Sequence, residues 1–348
     1  MTSNIGLISI IQQNFLVLAL SFLLGASGAY LISRYAGKLG LIDQPNNRSS
    51  HNIPTPKGGG IGITITLALV ATAYAIPFFF WLPIIILSLV SLFGDKSHIS
   101  PFIRLFLQFF AAVIVLVSLL TISSPTDLLL FRGNGWLAKI LFIVSGSLFL
   151  VASANFYNFM DGINGIAAIS SIIGFSLLAA YGQSNGIAPD MIIICLCIAA
   201  ACLGFLPFNF PKARVFMGDT GSVLLGFLFA SMILAFSQDL QDITLMTGFM
   251  FPLFADELIT MVERIIERQD LTKPHRQHLY QVLANEAGID HWKVALAYSV
   301  VQLGAALLFW KALTINATAL TCSMVGLGIL FYTVNNILKE KFLQKTLM

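Results

Sequence analysis

Charge is what this chain has least of. Only 10% of its 348 residues are Asp, Glu, Lys or Arg, and histidine occurs five times. So little charge excludes an ordinary soluble enzyme, and equally a basic surface for nucleic acid. Cysteine is scarce too. Cys195, Cys197 and Cys202 share one apolar run and Cys322 sits in another, so there is neither a zinc pattern nor a disulfide framework. They read as small apolar helix residues. The first apolar run is long and lacks a small-residue cleavage site, which argues against a removable signal peptide. Low-complexity tracts, clear repeats and a soluble appendage are absent from the sequence, so residues 1–348 are read as one integral membrane domain.

What is present is apolar length. Hydrophobic residues make up 57% of the chain and the mean hydropathy is +0.87. A bilayer needs about 20 apolar residues per helical crossing. Eleven runs approach that length, at 7–32, 58–76, 79–94, 102–122, 137–152, 163–181, 190–206, 222–237, 244–265, 292–310 and 317–337. The expected fold is an all-α polytopic membrane protein. Pro252 falls inside the ninth run and predicts a broken helix, with Asp256, Glu257, Glu263 and Arg264 at the membrane interface.

Charge placement then orients the chain. With the C-terminus inside and the N-terminus outside, all but Arg132, Lys139 and Lys311 of the 19 Lys and Arg face inward. That split follows the positive-inside rule. It also gathers the unusual residues into five inner loops, 35–57, 94–101, 153–162, 207–221 and 266–291.

Two of these loops carry most of the chemistry. One reads Asn155-Phe-Tyr-Asn158-Phe-Met-Asp161-Gly-Ile-Asn164-Gly165, the other Phe216-Met-Gly-Asp219-Thr-Gly-Ser222. On a helix, Asn155, Asn158 and Asp161 share one face. Helix capping or an interhelical hydrogen-bond cluster would use fewer such groups. Amide and carboxylate oxygens are hard ligands suited to Mg²⁺, with Mn²⁺ as a substitute, and the nearby glycines let backbone approach a phosphate. Asn158 and Asp219 are the candidate metal ligands, and Asn155 a substrate contact.

The remaining candidates lie on the other loops. Arg104 opens the fourth run one turn before Gln108, placed to hold a phosphate, and Asp95 precedes it. The loop with Arg48, His51 and Lys57-Gly-Gly-Gly60 is either a phosphate-binding turn or a connecting loop carrying inner charge. Arg276 and His278 suit phosphate better than metal, because a His-x-x-His pair without a carboxylate nearby in sequence is a weak zinc signal.

Together these motifs resemble the polyprenyl-phosphate N-acetylhexosamine-1-phosphate transferases, of the glycosyltransferase family 4 type. That family includes initiators of O-antigen, common-antigen and teichoic acid synthesis, and is distantly related to phospho-N-acetylmuramoyl-pentapeptide transferase. The likeness rests on Asp43-Gln-Pro with Pro-Lys57-Gly-Gly-Gly, on Asn-x-x-Asn-x-x-Asp-Gly, and on Phe-Met-Gly-Asp-x-Gly-Ser, and it spans nearly the whole chain. It implies transfer of a sugar phosphate from a UDP-N-acetylhexosamine to undecaprenyl phosphate at the bacterial cytoplasmic membrane. The implied setting is membrane lipid, and a homodimer is compatible with it. By this likeness Asn158 and Asp219 match magnesium positions and Arg104 a phosphate contact. Asp161, Asp95 and His278 match catalytic positions. The chain departs from the family at Gly94-Asp95, where an Asp-Asp pair is usual, and at His278-Leu-Tyr280-Gln281, where further histidines are usual. The second departure is similar to the subgroup that starts O-antigen chains. A transporter or lipid-phosphate flippase is the competing class, and a glycan-assembly scaffold a third that leaves the Asn/Asp face unexplained. Transporters put ionisable groups near the midplane.

The charge split makes a direct prediction. A cysteine introduced at 266–291 should react with an impermeant maleimide only from the cytoplasmic side, and one at 123–136 only from outside. Labelling of 266–291 from outside would refute the orientation.

Overall fold

A computed structural model describes residues 6–45, 50–96, 99–122, 135–270 and 275–346. Arg48 lies outside the described residues. Among the described residues the chain is helical, with ten helices long and apolar enough to cross a membrane. The short α1 (Leu7–Gln13) leads into α2 (Phe15–Leu39), where Tyr74 donates a hydrogen bond to Asn14 at the junction. There follow α3 (Ile61–Ala73), α4 (Phe78–Lys96), α5 (Pro101–Ile122), α6 (Trp136–Met160) and α7 (Ile166–Ser184). Then come α8 (Pro189–Asn209), α9 (Gly218–Phe236), α10 (Leu240–Thr247), α11 (Phe251–Ile266), the single turn α12 (Leu279–Gln281), α13 (His291–Leu313) and α14 (Ala317–Thr346).

Each of the eleven expected runs has a helical counterpart, but one falls short of a crossing. At 13 residues α3 is about 20 Å long, against about 30 Å of hydrocarbon. The ninth run is broken as Pro252 predicts. A 3₁₀ turn at Gly248–Met250 separates α10 from α11, and Pro252 sits in the first turn of α11. Proline fits there because the first helical N–H groups have no intrahelical acceptor. The charges on α11 depart from expectation. Asp256, Glu257 and Arg264 are buried rather than interfacial, at 0%, 4% and 5% exposed. The fold covers them with α13, α14 and the 275–281 segment, through Tyr298, Asn335 and the backbone of Leu279.

Helix α9 is the centre of the bundle, 83% buried, whereas α14 is peripheral at 6%. Outward faces carry large apolar groups such as Leu16, Phe102 and Val300, as lipid contact demands. Inside, small residues set the spacing. A Cβ on Gly25 of α2 would lie 2.0 Å from the Ala201 carbonyl of α8, and one on Gly204 of α8 would lie 2.0 Å from the Phe22 carbonyl of α2. Lipid tails are as apolar as Leu, so helices in a bilayer associate by close packing, which small residues allow.

Substituting these contacts should separate the helices. Gly25→Val or Gly204→Val is expected to destabilise by about 1–3 kcal/mol, the usual range for overpacking. Gly304→Val, which meets open space, is the comparison. Melting temperature in detergent reads the difference, and equal melting of all three variants would contradict the packing.

Candidate active site

The inner ends of the helices are fastened together by the backbone of two loops. The Ile42–Asp43 and Thr55–Pro56 strands pair antiparallel, β1 with β2, and fold the 43–57 loop back on itself. The next residues zip onto the segment before α9. Phe216 N–H donates to the Pro56 carbonyl (2.8 Å), Gly59 N–H to Phe216 (2.9 Å) and Gly60 N–H to Met217 (3.0 Å). Glycine is required where the chains meet. Gly218 has φ +73°, and a Cβ there would lie 2.7 Å from Gly58 N and 2.8 Å from Asp95 Oδ2. The zipper therefore brings Lys57, Asp95 and Asp219 to one place.

On the opposite side, α6 ends at Met160 and Asp161 is its C-cap, so Asp161 leaves the helix face that carries Asn155 and Asn158. Asn209, at the end of α8, fixes this edge. Its side chain accepts from Gly165 N–H (2.7 Å) and donates to the Val215 carbonyl (2.9 Å).

These segments enclose a cleft of about 280 Å³. Asp43, Asp95, Asp161 and Asp219 line it, with Lys57 and His51, Asn158 and Gln281. Lys57 Nζ lies 3.8 Å from Asp43 and 3.7 Å from Asp95, and His51 Nε2 lies 3.6 Å from Asp43. His51 also packs edge-on against Phe216, with ring centroids 4.8 Å apart. Four carboxyl groups thus share the cleft with one lysine. Burial first, then the Asp219 and Asp95 charges, push the Asp161 carboxyl well above the usual carboxylate range.

A smaller pocket of about 30 Å³ adjoins the cleft, and Asn158 lines both. Arg104, Gln108 and Asn155 line only this second pocket. Asn155 donates to Gln108 Oε1 at 2.7 Å, and Ser222 donates to Asn158 Oδ1 at 2.6 Å. Arg104 donates to Asp219 Oδ2 at 2.6 Å. Both partners of that pair are partly exposed, at 38% and 25%, and such pairs contribute only about 0–1 kcal/mol. The pair therefore does not bar a ligand from Asp219.

Arg276 and His278 line neither pocket. Arg276 bonds Glu286 at 2.6 Å, and His278 Nε2 lies 3.3 Å from Glu257, so the fold supplies the nearby carboxylates that the local sequence lacks. His278 is 2% exposed and stacks on Tyr280. Burial first, then the charges of Lys339 and Arg264, hold its pKa down to about 3; His275 beside it is held at about 4. Both imidazoles are neutral near pH 7. Asn209 and Gln281 were not anticipated as site residues. For Asn209 the available signal was a polar residue closing an apolar run.

Comparison with known proteins bears on what such a cleft does. The family model for glycosyl transferase family 4 matches residues 77–237, which span α4 to α9. A probable undecaprenyl-phosphate N-acetylglucosaminyl 1-phosphate transferase of Bacillus subtilis is 27% identical, over 90% of this chain and 89% of its own length. Over residues 77–237 the chain is similar to glycosyl transferase family 4. An undecaprenyl-phosphate alpha-N-acetylglucosaminyl 1-phosphate transferase of Thermotoga maritima is 29% identical, over 76% of this chain and 80% of its own length. A phospho-N-acetylmuramoyl-pentapeptide-transferase of Staphylococcus saprophyticus is 39% identical over a shorter stretch, 36% of this chain and 37% of its own. The family match covers Asp95, Arg104, Asn158, Asp161 and Asp219, while Lys57 lies before it and Gln281 after it.

The buried His278 and the half-buried His275 predict a pH dependence of stability. Unfolding frees them to titrate near about pH 6.5, while in the fold they resist protonation until about pH 4 and 3. The unfolded chain therefore binds more protons across that window, so their contribution makes stability fall as pH drops below about 6.5. His278→Gln should flatten the fall in melting temperature between pH 7 and pH 5. An unchanged slope would refute the neutral, buried assignment.

Proposed function

We propose that the protein transfers an N-acetylhexosamine-1-phosphate from a UDP-sugar to undecaprenyl phosphate, releasing UMP and starting a lipid-linked cell-surface glycan. The observation that carries the reading is the cleft itself. It joins four carboxylates, one lysine and the Asn158 amide at the ends of α6 and α9. Phosphates would be repelled from that set without a cation. The names of the relatives favour N-acetylglucosamine as the sugar.

Magnesium fits this donor set. Among the described residues no group of three or more His, Cys, Asp and Glu forms a complete metal cage. Mg²⁺ rarely needs one, since one or two protein oxygens, waters and substrate phosphates complete its shell. Asp219 and Asn158 would hold it, and it would offset the charge accumulated as two anions meet. Lys57, which lines the cleft, and Arg104, bonded to Asp219, would contact the phosphates. In the transfer, an oxygen of the acceptor phosphate bonds to the sugar-bearing phosphorus, and the bond from that phosphorus to the bridging oxygen breaks, so UMP departs with the electron pair. A strong base is unnecessary, because a phosphate monoester with a pKa near about 6 is mostly dianionic at pH 7. Asp95 would orient the acceptor, and positioning with charge stabilisation supplies most of the acceleration.

The inward excess of Lys and Arg supports a cytoplasmic cleft, where nucleotide sugars are made and the lipid head group is exposed. The test is UMP release by purified protein from a panel of UDP-N-acetylhexosamines, with undecaprenyl phosphate and Mg²⁺. Release that stops with EDTA is expected. Asp219→Asn should lower turnover by roughly 100-fold or more, as when one electrostatic stabiliser is removed. Near wild-type, EDTA-sensitive turnover in that variant would sink the metal assignment, and no release from any donor would sink the reaction.

A further inference from the structure

Asp256 lies away from the cleft, in the middle of α11, and is fully buried. A buried carboxylate is costly unless it is hydrogen-bonded. This one accepts four hydrogen bonds, and two come from backbone. Leu279 N–H donates to Oδ1 at 2.9 Å and Tyr280 N–H to Oδ2 at 3.2 Å. Tyr298 donates to Oδ2 at 2.7 Å, and Asn335 to Oδ1 at 3.3 Å. The carboxylate thus binds three separate parts of the chain, α13, α14 and the turn α12. The two backbone donors open that turn, where helical N–H groups otherwise have no acceptor.

What α12 carries is next to the cleft. Tyr280, fully buried, donates to the Phe159 carbonyl at 2.9 Å, one residue past Asn158 and two before Asp161. Its hydroxyl is also pressed onto Gly162, where a Cβ would lie 2.1 Å away. The next residue, Gln281, lines the cleft, and its buried Oε1 has no hydrogen-bond partner. Each link is a direct contact, so a shift of α12 would move both the Asn158–Asp161 wall and Gln281.

We propose that Asp256 is a positioning residue. Through the Leu279 and Tyr280 amides it holds Tyr280 against the end of α6, and holds Gln281 in the cleft with an acceptor free for a substrate N–H or O–H. Asn at this position would keep the size and turn one acceptor into a donor facing a donor. Burial alone would not demand a carboxylate there, because a well-packed apolar residue serves a core at least as well.

The inference rests on the transferase reading for its kinetic arm only. In that arm Asp256→Asn should lower kcat/KM by roughly 10-fold or more, the scale of a small misplacement of catalytic groups. Tyr280→Phe should lower it too, and the double variant should be no worse than the poorer single one, because both act through one contact. Multiplying effects, or wild-type kcat/KM in Asp256→Asn, would overturn the proposal. The second arm needs no activity. Gln281→Cys, in a Cys322→Ser background that removes the exposed native thiol, is labelled with an impermeant maleimide. Adding Asp256→Asn should speed labelling several-fold, and an unchanged rate would overturn the proposal even if the protein proved to catalyse something else. If Asp256→Asn fails to fold, Tyr298→Phe removes one donor from the same carboxylate while keeping the ring that packs edge-on against Tyr280. It should speed labelling in the same direction by a smaller factor, and no change there would count equally against the assignment.

Discussion

The constraint on which this structure depends is electrostatic crowding. Asp43, Asp95, Asp161 and Asp219 share one small cleft with a single lysine. Carboxylates repel each other more strongly as water is excluded, because attraction and repulsion both scale inversely with the local dielectric. Several features ease this load. Lys57 sits within 4 Å of Asp43 and Asp95, Arg104 bonds Asp219, and Asp161 is driven toward its neutral form. None of these makes the cleft attractive to a phosphate. On the reading proposed above, a divalent cation would, turning a liability of folding into a capacity to bind anions.

Holding the acids together takes rigid support, and the bundle supplies it by close contact. Gly60 and Gly221 are so near that a Cβ on Gly60 would lie 2.4 Å from the Gly221 Cα. That contact docks α3 against α9 just inside the cleft. A buried polar ladder runs beside it, from Thr64 to Ser88 at 2.6 Å and from Ser88 to the Thr220 carbonyl at 2.8 Å. It ties α3, α4 and the first turn of α9 directly behind Asp219. Each hydroxyl is worth about 1 kcal/mol when paired, and leaving its partner unpaired costs more, so the ladder specifies one register of the three helices.

Much of the fold was legible because a bilayer imposes a length and an apolar composition on every crossing. The broken ninth span followed from Pro252, and the clustering of Asp95, Asn158, Asp161 and Asp219 from their placement at span ends. Hydropathy reads along the chain, however, and a site depends on which faces meet across it. Helical spacing put Asn155, Asn158 and Asp161 on one face, yet α6 stops at Met160. Asn155 then turns to Gln108 of α5, and Asp161 turns into the cleft. The charges of α11 looked interfacial for the same reason. Nothing in their local sequence tells that Tyr298 and Asn335, 42 and 79 residues further on, close over Asp256.

The central claim is that the cleft takes anionic substrate only through a divalent cation. Calorimetric titration of the purified protein with UDP measures this without depending on turnover. The account predicts binding in Mg²⁺ and a loss of at least about 100-fold in affinity in EDTA, or about 2.7 kcal/mol. Equal affinity for UDP in both buffers would contradict it, since four carboxylates and one lysine would then be receiving a diphosphate unaided.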